Sequence, residues 1–360
     1  MTRYEHVVAV LRDERFVKDV THALTPEQMA QQPPISPVLD LLSHDLLNQD
    51  PPNHTRLRAL VSKAFTPRLV EGLRPRIQQL ADELLDAMAP RGEADLMEAY
   101  AFPIPITVIA ELLGVPVEDR DRFRDWSNAL VGSNPTAEGV EQLVESVAAF
   151  TEYLGALFAE RRRDPKDDLI SGLVHVEERG DRLTDGELYS MASIILVAGH
   201  ETTVNLIGTG TLVLLQHPDQ LRRLRDEPEL VKPTVEELLR HSGPVEGSTD
   251  RYAAEDIAIG GVTIPRGEAV YVVLGSANRD PHRFADPDAL DLTRDTRQHV
   301  AFGQGIHYCL GAPLARLEGQ IAIGSLIQRF PDLRLAVPAE TLTWRPGMVI
   351  RGLERLPIAF

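Results

Sequence analysis

The chain is poor in cysteine: among its 360 residues only Cys309 carries a thiol. An internal disulfide is excluded, and the thiol is left for packing, reactivity or metal ligation. Positive charge is also scarce. Lys and Arg number 37 against 54 Asp and Glu, a net charge of −17, which argues against a general nucleic-acid binder. There is no run of about 18 or more uncharged apolar residues, so no membrane span is expected. The opening residues, Met1-Thr2-Arg3-Tyr4-Glu5-His6, are too polar for a secretory signal. A reduced thiol without a targeting segment points to the cytoplasm. Internal repeats and low-complexity tracts are absent. With 43% hydrophobic residues, the chain can fill one large core, and residues 1–360 read as a single domain.

What the chain does contain is a thiol in an unusual setting, Phe302-Gly303-Gln304-Gly305-Ile306-His307-Tyr308-Cys309-Leu310-Gly311. Gly303, Gly305 and Gly311 allow close approach of the backbone to a flat partner and positive φ where needed. Ala312-Pro313-Leu314-Ala315-Arg316-Leu317-Glu318 reads as the start of a helix with proline in its first turn. Cys309 then precedes a helix N-terminus, where the dipole and free N–H groups favour a thiolate. For the cysteine alone, burial in the core is the competing reading.

The pattern predicts a mainly α fold with a minor β region. Short helical stretches fill residues 5–31, Gln32-Pro33-Pro34-Ile35-Ser36-Pro37 is a loop, and a helix follows over 52–64. Residues 68–90 read as one amphipathic helix with Leu73, Ile77, Leu80, Leu84 and Leu85 on one face. Further helices are expected over 94–113, 117–132 and 137–163, with a break at Asn134-Pro135. A long apolar helix spans 185–215, opened by the capping box Thr184-Asp185-Gly186-Glu187 and closed by His217-Pro218. Strand signals begin only after residue 250, as a hairpin over 256–264 and a buried strand over 269–274.

Inside the long helix lies Ala198-Gly199-His200-Glu201-Thr202-Thr203. Polar groups midway along an apolar helix are costly unless partnered. Thr202 can bond back to the Ala198 carbonyl and open a turn at Gly199. Glu237 and Arg240, in Val235-Glu236-Glu237-Leu238-Leu239-Arg240, share a helix face at i,i+3. Thr234 to Glu237 also reads as a capping box, which would make Glu237 local. His54 and Arg58, in Asp50-Pro51-Pro52-Asn53-His54-Thr55-Arg56-Leu57-Arg58, share a face at i,i+4. Against the overall acidity, Arg56, Arg58, Lys63, Arg68, Arg74 and Arg76 cluster with Glu71 as the single acid among them.

The Cys309 loop resembles the heme-binding loop of the cytochrome P450 family, F-G-x-G-x-H-x-C-x-G, at every fixed position. The resemblance runs over essentially the whole chain and is closest to soluble bacterial members that hydroxylate macrolides, terpenoids and fatty acids. It implies heme b (iron protoporphyrin IX) ligated through iron by Cys309, dioxygen (O2) as co-substrate, and the P450 fold. It implies cofactor contacts from Phe302, Gly303, His307 and Gly311 in the loop and from Ala198 and Gly199 on the long helix. His54, Arg58, Arg251 and His307 match the set that holds the heme propionates. Glu201 and Thr202 match the acid–alcohol pair that relays protons during dioxygen activation. Glu237, Arg240 and Arg283 match a buried ion cluster. Leu196, Val197, Val245, Thr249, Met348, Val349 and Ile350 are candidate liners of an apolar substrate pocket.

The implied partners are a ferredoxin or flavodoxin with its reductase, docking on a face that includes Arg56, Lys63, Arg68 and Arg316, and an apolar small-molecule substrate. A peroxide-driven peroxygenase and a non-catalytic heme or ligand-binding protein are the alternatives; Glu201 and Thr202 argue against the first. Family members usually carry several tens of residues ahead of the Thr2-Arg3-Tyr4 segment, so a shortened N-terminus is expected.

Overall fold

A computed structural model describes residues 1–31, 43–131, 137–177 and 180–360. The expected loop over 32–37 and the break at Asn134-Pro135 lie outside the described residues. In chain order come α1 (Tyr4–Arg12), β1 (Phe16–Val17), α2 (Pro26–Met29), α3 (Asn53–Ala64), α4 (Pro67–Gly72), α5 (Arg74–Met88) and β2 (Glu93–Asp95). A π-turn over Met97–Ala101 leads to α6 (Pro103–Leu113), α7 (Arg120–Val131), α8 (Ala137–Arg163), α9 (Leu169–His175) and α10 (Asp185–Gln216). Then follow α11 (Pro218–Asp226), α12 (Val231–Ser242), β3 (Arg251–Ala253), β4 (Ile257–Ile259), β5 (Val262–Ile264) and β6 (Ala269–Val270). The chain ends with α13 (Leu274–Asn278), α14 (Ala312–Arg329), β7 (Arg334–Leu335) and β8 (Pro357–Ala359).

The fold is mainly α with a minor β region, as the pattern predicts, and several boundaries move. The stretch 68–90 is two helices: α4 ends at Gly72, and α5 restarts at Arg74 with Pro75 in its first turn, where the missing N–H costs nothing. The stretch 94–113 holds a strand residue pair and a π-turn before α6. Strands also occur before residue 250, because β1 and β2 find partners far along the chain: Glu93 to Asp95 pair with β8. Of the run 269–274 only Ala269–Val270 is strand. Beyond it, Val273 donates its N–H to Met1 O at 2.8 Å, and Leu274 opens α13. The hairpin over 256–264 is present as β4–β5.

Backbone contacts divide the chain into two compact units. One comprises residues 1–16, 70–105 and 202–360. In it α14 packs on α5 and α12, over a core that includes Leu206, Val235, Leu238, Ile323 and Ile327. A second cluster of Val7, Leu11, Ile257 and Val272 joins α1 to the small sheets. The other unit comprises residues 17–69 and 106–201. There Phe123 and Trp126 of α7 meet Phe150 of α8, and the buried Arg161 binds Asp168 at 2.5 Å and Gly114 O at 2.8 Å. The division falls within α10, between Glu201 and Thr202.

The Thr184–Glu187 capping box opens α10: Thr184 N–H donates to Glu187 at 2.8 Å, and Glu187 N–H to Thr184 Oγ1 at 3.3 Å. Among the described residues α10 is long and apolar enough by composition to cross a membrane, yet 67% of its most apolar window is buried inside the protein. That is the pattern of a core helix.

The Glu237–Arg240 pair forms, and both side chains are wholly buried. Arg240 grips the carboxylate with Nε at 2.7 Å and Nη2 at 2.8 Å, and reaches the carbonyls of Asn278, Pro287 and Ala289. The third cation is not Arg283. It is Arg294, whose Nε lies 3.2 Å from Glu237 Oε1. Arg283 instead places its guanidinium 5.4 Å from the Tyr4 ring centroid. The capping box from Thr234 also fails, because α12 begins at Val231 and Thr234 lies inside it.

Removing one partner of a buried pair strands the other charge, at a cost of about 3–5 kcal/mol. Glu237→Gln is predicted to lower stability by about that amount, and Arg294→Ala by a smaller part of it. Arg283→Ala should cost under about 1 kcal/mol. Urea midpoints of the three variants check the order; an Arg283 effect equal to that of Arg294 would contradict it.

Candidate functional site

The Cys309 loop is folded by its glycines. Gly303 and Gly305 have φ of 69° and 72°, in the left-handed region that side chains avoid. At Gly305 a Cβ would also stand 2.4 Å from Leu11 O. Gly303 N–H donates to Val300 O at 2.9 Å, Tyr308 N–H to Gly305 O at 3.1 Å, and Cys309 N–H closes the loop on Phe302 O at 3.0 Å. The loop ends at Gly311, the N-cap of α14, with Pro313 in the first turn. A Cβ on Gly311 would touch Cys309 Sγ at 4.0 Å. Cys309 is therefore an exposed thiol just ahead of a helix N-terminus, and Ile306 and Tyr308 beside it each expose 39% of their surface.

The 198–203 motif lies within the continuous helix α10, astride the division between the two units. Gly199 serves packing: a Cβ there would stand 2.6 Å from Ile109 Cδ1. His200 is buried, with Nδ1 2.8 Å from Leu196 O and Nε2 3.2 Å from Ser127 Oγ. Glu201 is buried, with a carboxylate oxygen 3.9 Å from His200 Nε2. Thr202 is half-buried and Ala198 exposed. Leu196 is fully buried; Val197 is partly open.

The candidate cations sit on α3, β3 and the Cys309 loop. His54 is buried on α3, and burial first, then the Arg58 guanidinium, hold its imidazole below the ordinary value. It is thus a neutral hydrogen-bonding group near pH 7. Asp50 anchors the start of α3, accepting the N–H groups of Lys18 and Asp19 at 2.8 and 2.9 Å. Arg251 is buried on β3, opposite Val270 of β6. His307 lies in the short 3₁₀ turn of the Cys309 loop.

Four of the pocket candidates do meet. Val245 bridges Ile350, Glu246 N–H donates to Val349 O at 2.8 Å, and Tyr271 Oη donates to Met348 O. Met348 exposes 70% of its surface. Thr249 follows on the same segment, half-buried.

The basic cluster is less basic than its sequence. Acids enter it: Arg56 pairs with Glu187 and Asp181 from a distant segment, and Arg76 with Glu83 two turns along its own helix. Arg316 pairs with Glu236. Lys63 and Arg68 remain exposed.

Proteins of known family share this architecture. The cytochrome P450 family model matches residues 135–336. Cytochrome P450 107B1 of Saccharopolyspora erythraea is 53% identical over 99% of this chain and 88% of its own length. The chain belongs to the cytochrome P450 family. The P450 monooxygenase PikC of Streptomyces venezuelae is 50% identical over 99% of this chain and 83% of its own length. The structure of the bacillaene polyketide synthase P450 PksS from Bacillus subtilis superposes with a TM-score of 0.93, at 45% identity, covering 100% of this chain and 89% of that one. The protein is thus a heme-thiolate P450 monooxygenase of the soluble bacterial kind. The residues present fit a heme: P450 heme requires a thiolate donor, and the chain's only thiol stands exposed on a loop bent by Gly303 and Gly305, with Gly311 leaving the space beside its sulfur open.

Sequence reading missed Glu318 on α14. It stands among Leu314, Leu317 and Ile321, an acid at a core position of the helical period, which was the available signal. It is fully buried, and neither carboxyl oxygen makes a well-formed hydrogen bond. Burial pushes its pKa up to about 8, only partly offset by the nearby Thr203 hydroxyl. Unfolded, the group ionises near its ordinary 4.5. Between the two values the folded state binds more protons, so stability falls as pH rises through that window. Glu318→Gln removes this loss. Its stability relative to the parent should rise from about pH 5 to about pH 8, read from urea midpoints; a difference constant across that range would contradict the assignment.

Proposed function

We propose that this P450 acts as a single domain that inserts one oxygen atom from O2 into a C–H bond of a bulky apolar molecule, of the polyketide class. Its electrons would come from a cytoplasmic ferredoxin or flavodoxin with its reductase. The observation that carries the reading is the lone exposed thiol of Cys309 at the glycine-bent entry to α14. Bound heme b supplies the chemistry of dioxygen reduction and C–H oxidation.

The chain's own residues do the rest. Cys309 donates its sulfur, favoured as thiolate by the α14 N-terminus. Gly303 and Gly311, with Phe302, would let the backbone lie close to a flat ring, and Ala198 and Gly199 are the small residues of α10 proposed to contact it. Neutral His54, with Arg58, Arg251 and His307, would hold the propionates. Glu201, buried beside His200, would pass protons to Thr202 at the reacting oxygen. Val197, Val245, Thr249, Met348, Val349 and Ile350 would present an apolar wall to substrate. The substrate class is supported by the polyketide assignment of the PksS relative.

Thr202→Ala is predicted to keep heme and substrate binding while product per electron falls severalfold and peroxide rises. Coupling equal to the parent's would remove Thr202 from the proton path. For the donor, reversing the charges of Lys63 and Arg68 should slow reduction by an acidic ferredoxin most at low salt, since such steering is screened by salt. An unchanged, salt-independent rate would place the docking face elsewhere.

A further inference from the structure

Arg316 was expected to face an electron donor. Its surroundings give it another task. The Arg316 guanidinium binds both carboxylate oxygens of Glu236, through Nε at 2.6 Å and Nη2 at 3.0 Å. Its Nη1 donates to Tyr308 Oη at 3.1 Å. Its guanidinium carbon lies over the Phe302 ring, 4.4 Å from the centroid. Glu236 is tied again on its other side. His299 Nδ1 accepts the Ala301 N–H at 3.1 Å, so its Nε2 carries the proton and donates to Glu236 at 2.9 Å. Burial alone would raise the Glu236 carboxyl, but the His299 and Arg316 hydrogen bonds outweigh it and hold the group at about 2.

These contacts land on both ends of the Cys309 loop. Phe302 begins it and accepts the Cys309 N–H; Tyr308 directly precedes Cys309. The rings of His299 and Tyr308 flank Phe302, with centroids at 6.0 and 6.4 Å. A bidentate arginine that also stacks has little freedom left, and its charge is already met by Glu236. We propose that Glu236, Arg316 and His299 form a positioning clamp that fixes Phe302 and Tyr308, and through them the sulfur of Cys309, in one arrangement. The proposal rests on Cys309 being the heme ligand. Arg316 is then a brace of the thiolate loop, one turn into α14, and no part of a docking face.

The test uses heme-loaded protein and two readouts besides turnover: the decay of the red-shifted Soret band of the reduced CO complex, and the iron midpoint potential. Arg316→Ala and Glu236→Gln are expected to speed that decay severalfold and to shift the potential in the same sense. Arg316→Lys, which keeps the charge but loses the fork and the stacking, should rescue little. Tyr308→Phe, a mild surface change, should give a smaller effect of the same kind, and the double variant of Glu236 and Arg316 should match the single ones. Parent-like decay and potential in all four single variants would overturn the clamp. So would an Arg316→Ala protein with an unchanged band that is reduced more slowly by ferredoxin in a salt-dependent way. A parent without the red-shifted band would overturn the heme-thiolate reading, and the clamp with it.

Discussion

A carboxylate taken out of water must be met by donors on every side, and Glu237 is where this protein meets that demand. Its two oxygens receive Arg240, Arg294 and the Asp291 N–H at 3.0 Å. The two arginines in turn bind carbonyls of the irregular segment from Asn278 to Ala289. That segment has little regular structure to satisfy its own backbone, so the ion cluster stands in for a sheet or helix. It also carries the chain to Val300, whose N–H is held by Asn278 Oδ1 at 2.7 Å, at the threshold of the Cys309 loop.

The neighbouring residue extends the same logic outward. Glu236 and Glu237 are adjacent on α12 and turn to different partners: Glu237 to the wholly buried Arg240 and to Arg294, Glu236 to the half-buried Arg316 and the buried imidazole of His299. One helix thus braces both the connection that leads into the thiol loop and the loop itself. α14 completes the frame from the other side, with Gly311 at its cap and a hydrophobic face packed on α12. Glu318, buried on α14 without a well-formed hydrogen bond, is the acid this frame does not satisfy, and burial holds its pKa up.

The parts legible in the sequence were those written in local chemistry. The glycine-bent thiol loop, the helix after it, the capping box at Thr184 and the Glu237–Arg240 pair each lie within a few residues, and each stands where the pattern put it. The parts that were misread depend on distant segments. Arg283 was read as the third cation, but Tyr4, from the far end of the chain, claims it, and Arg294 reaches Glu237 instead. Arg56 looks like a free surface cation until Glu187 reaches it, and Arg316 until Glu236 does. Strands of two or three residues, such as β1 and β2, carry no period of their own and exist only because a remote strand pairs with them. Gly199 carries a constraint of the same remote kind, since a Cβ there would meet Ile109, a long way back in the chain.

The central claim is that Cys309, held by this frame, is the thiolate ligand of a bound heme. The most direct measurement is the reduced, CO-bound difference spectrum of the purified protein beside its Cys309→Ser variant. The account predicts a red-shifted Soret band in the parent that is lost in the variant. A parent band at the position of histidine-ligated heme, or a red-shifted band that survives the loss of Cys309, would contradict it.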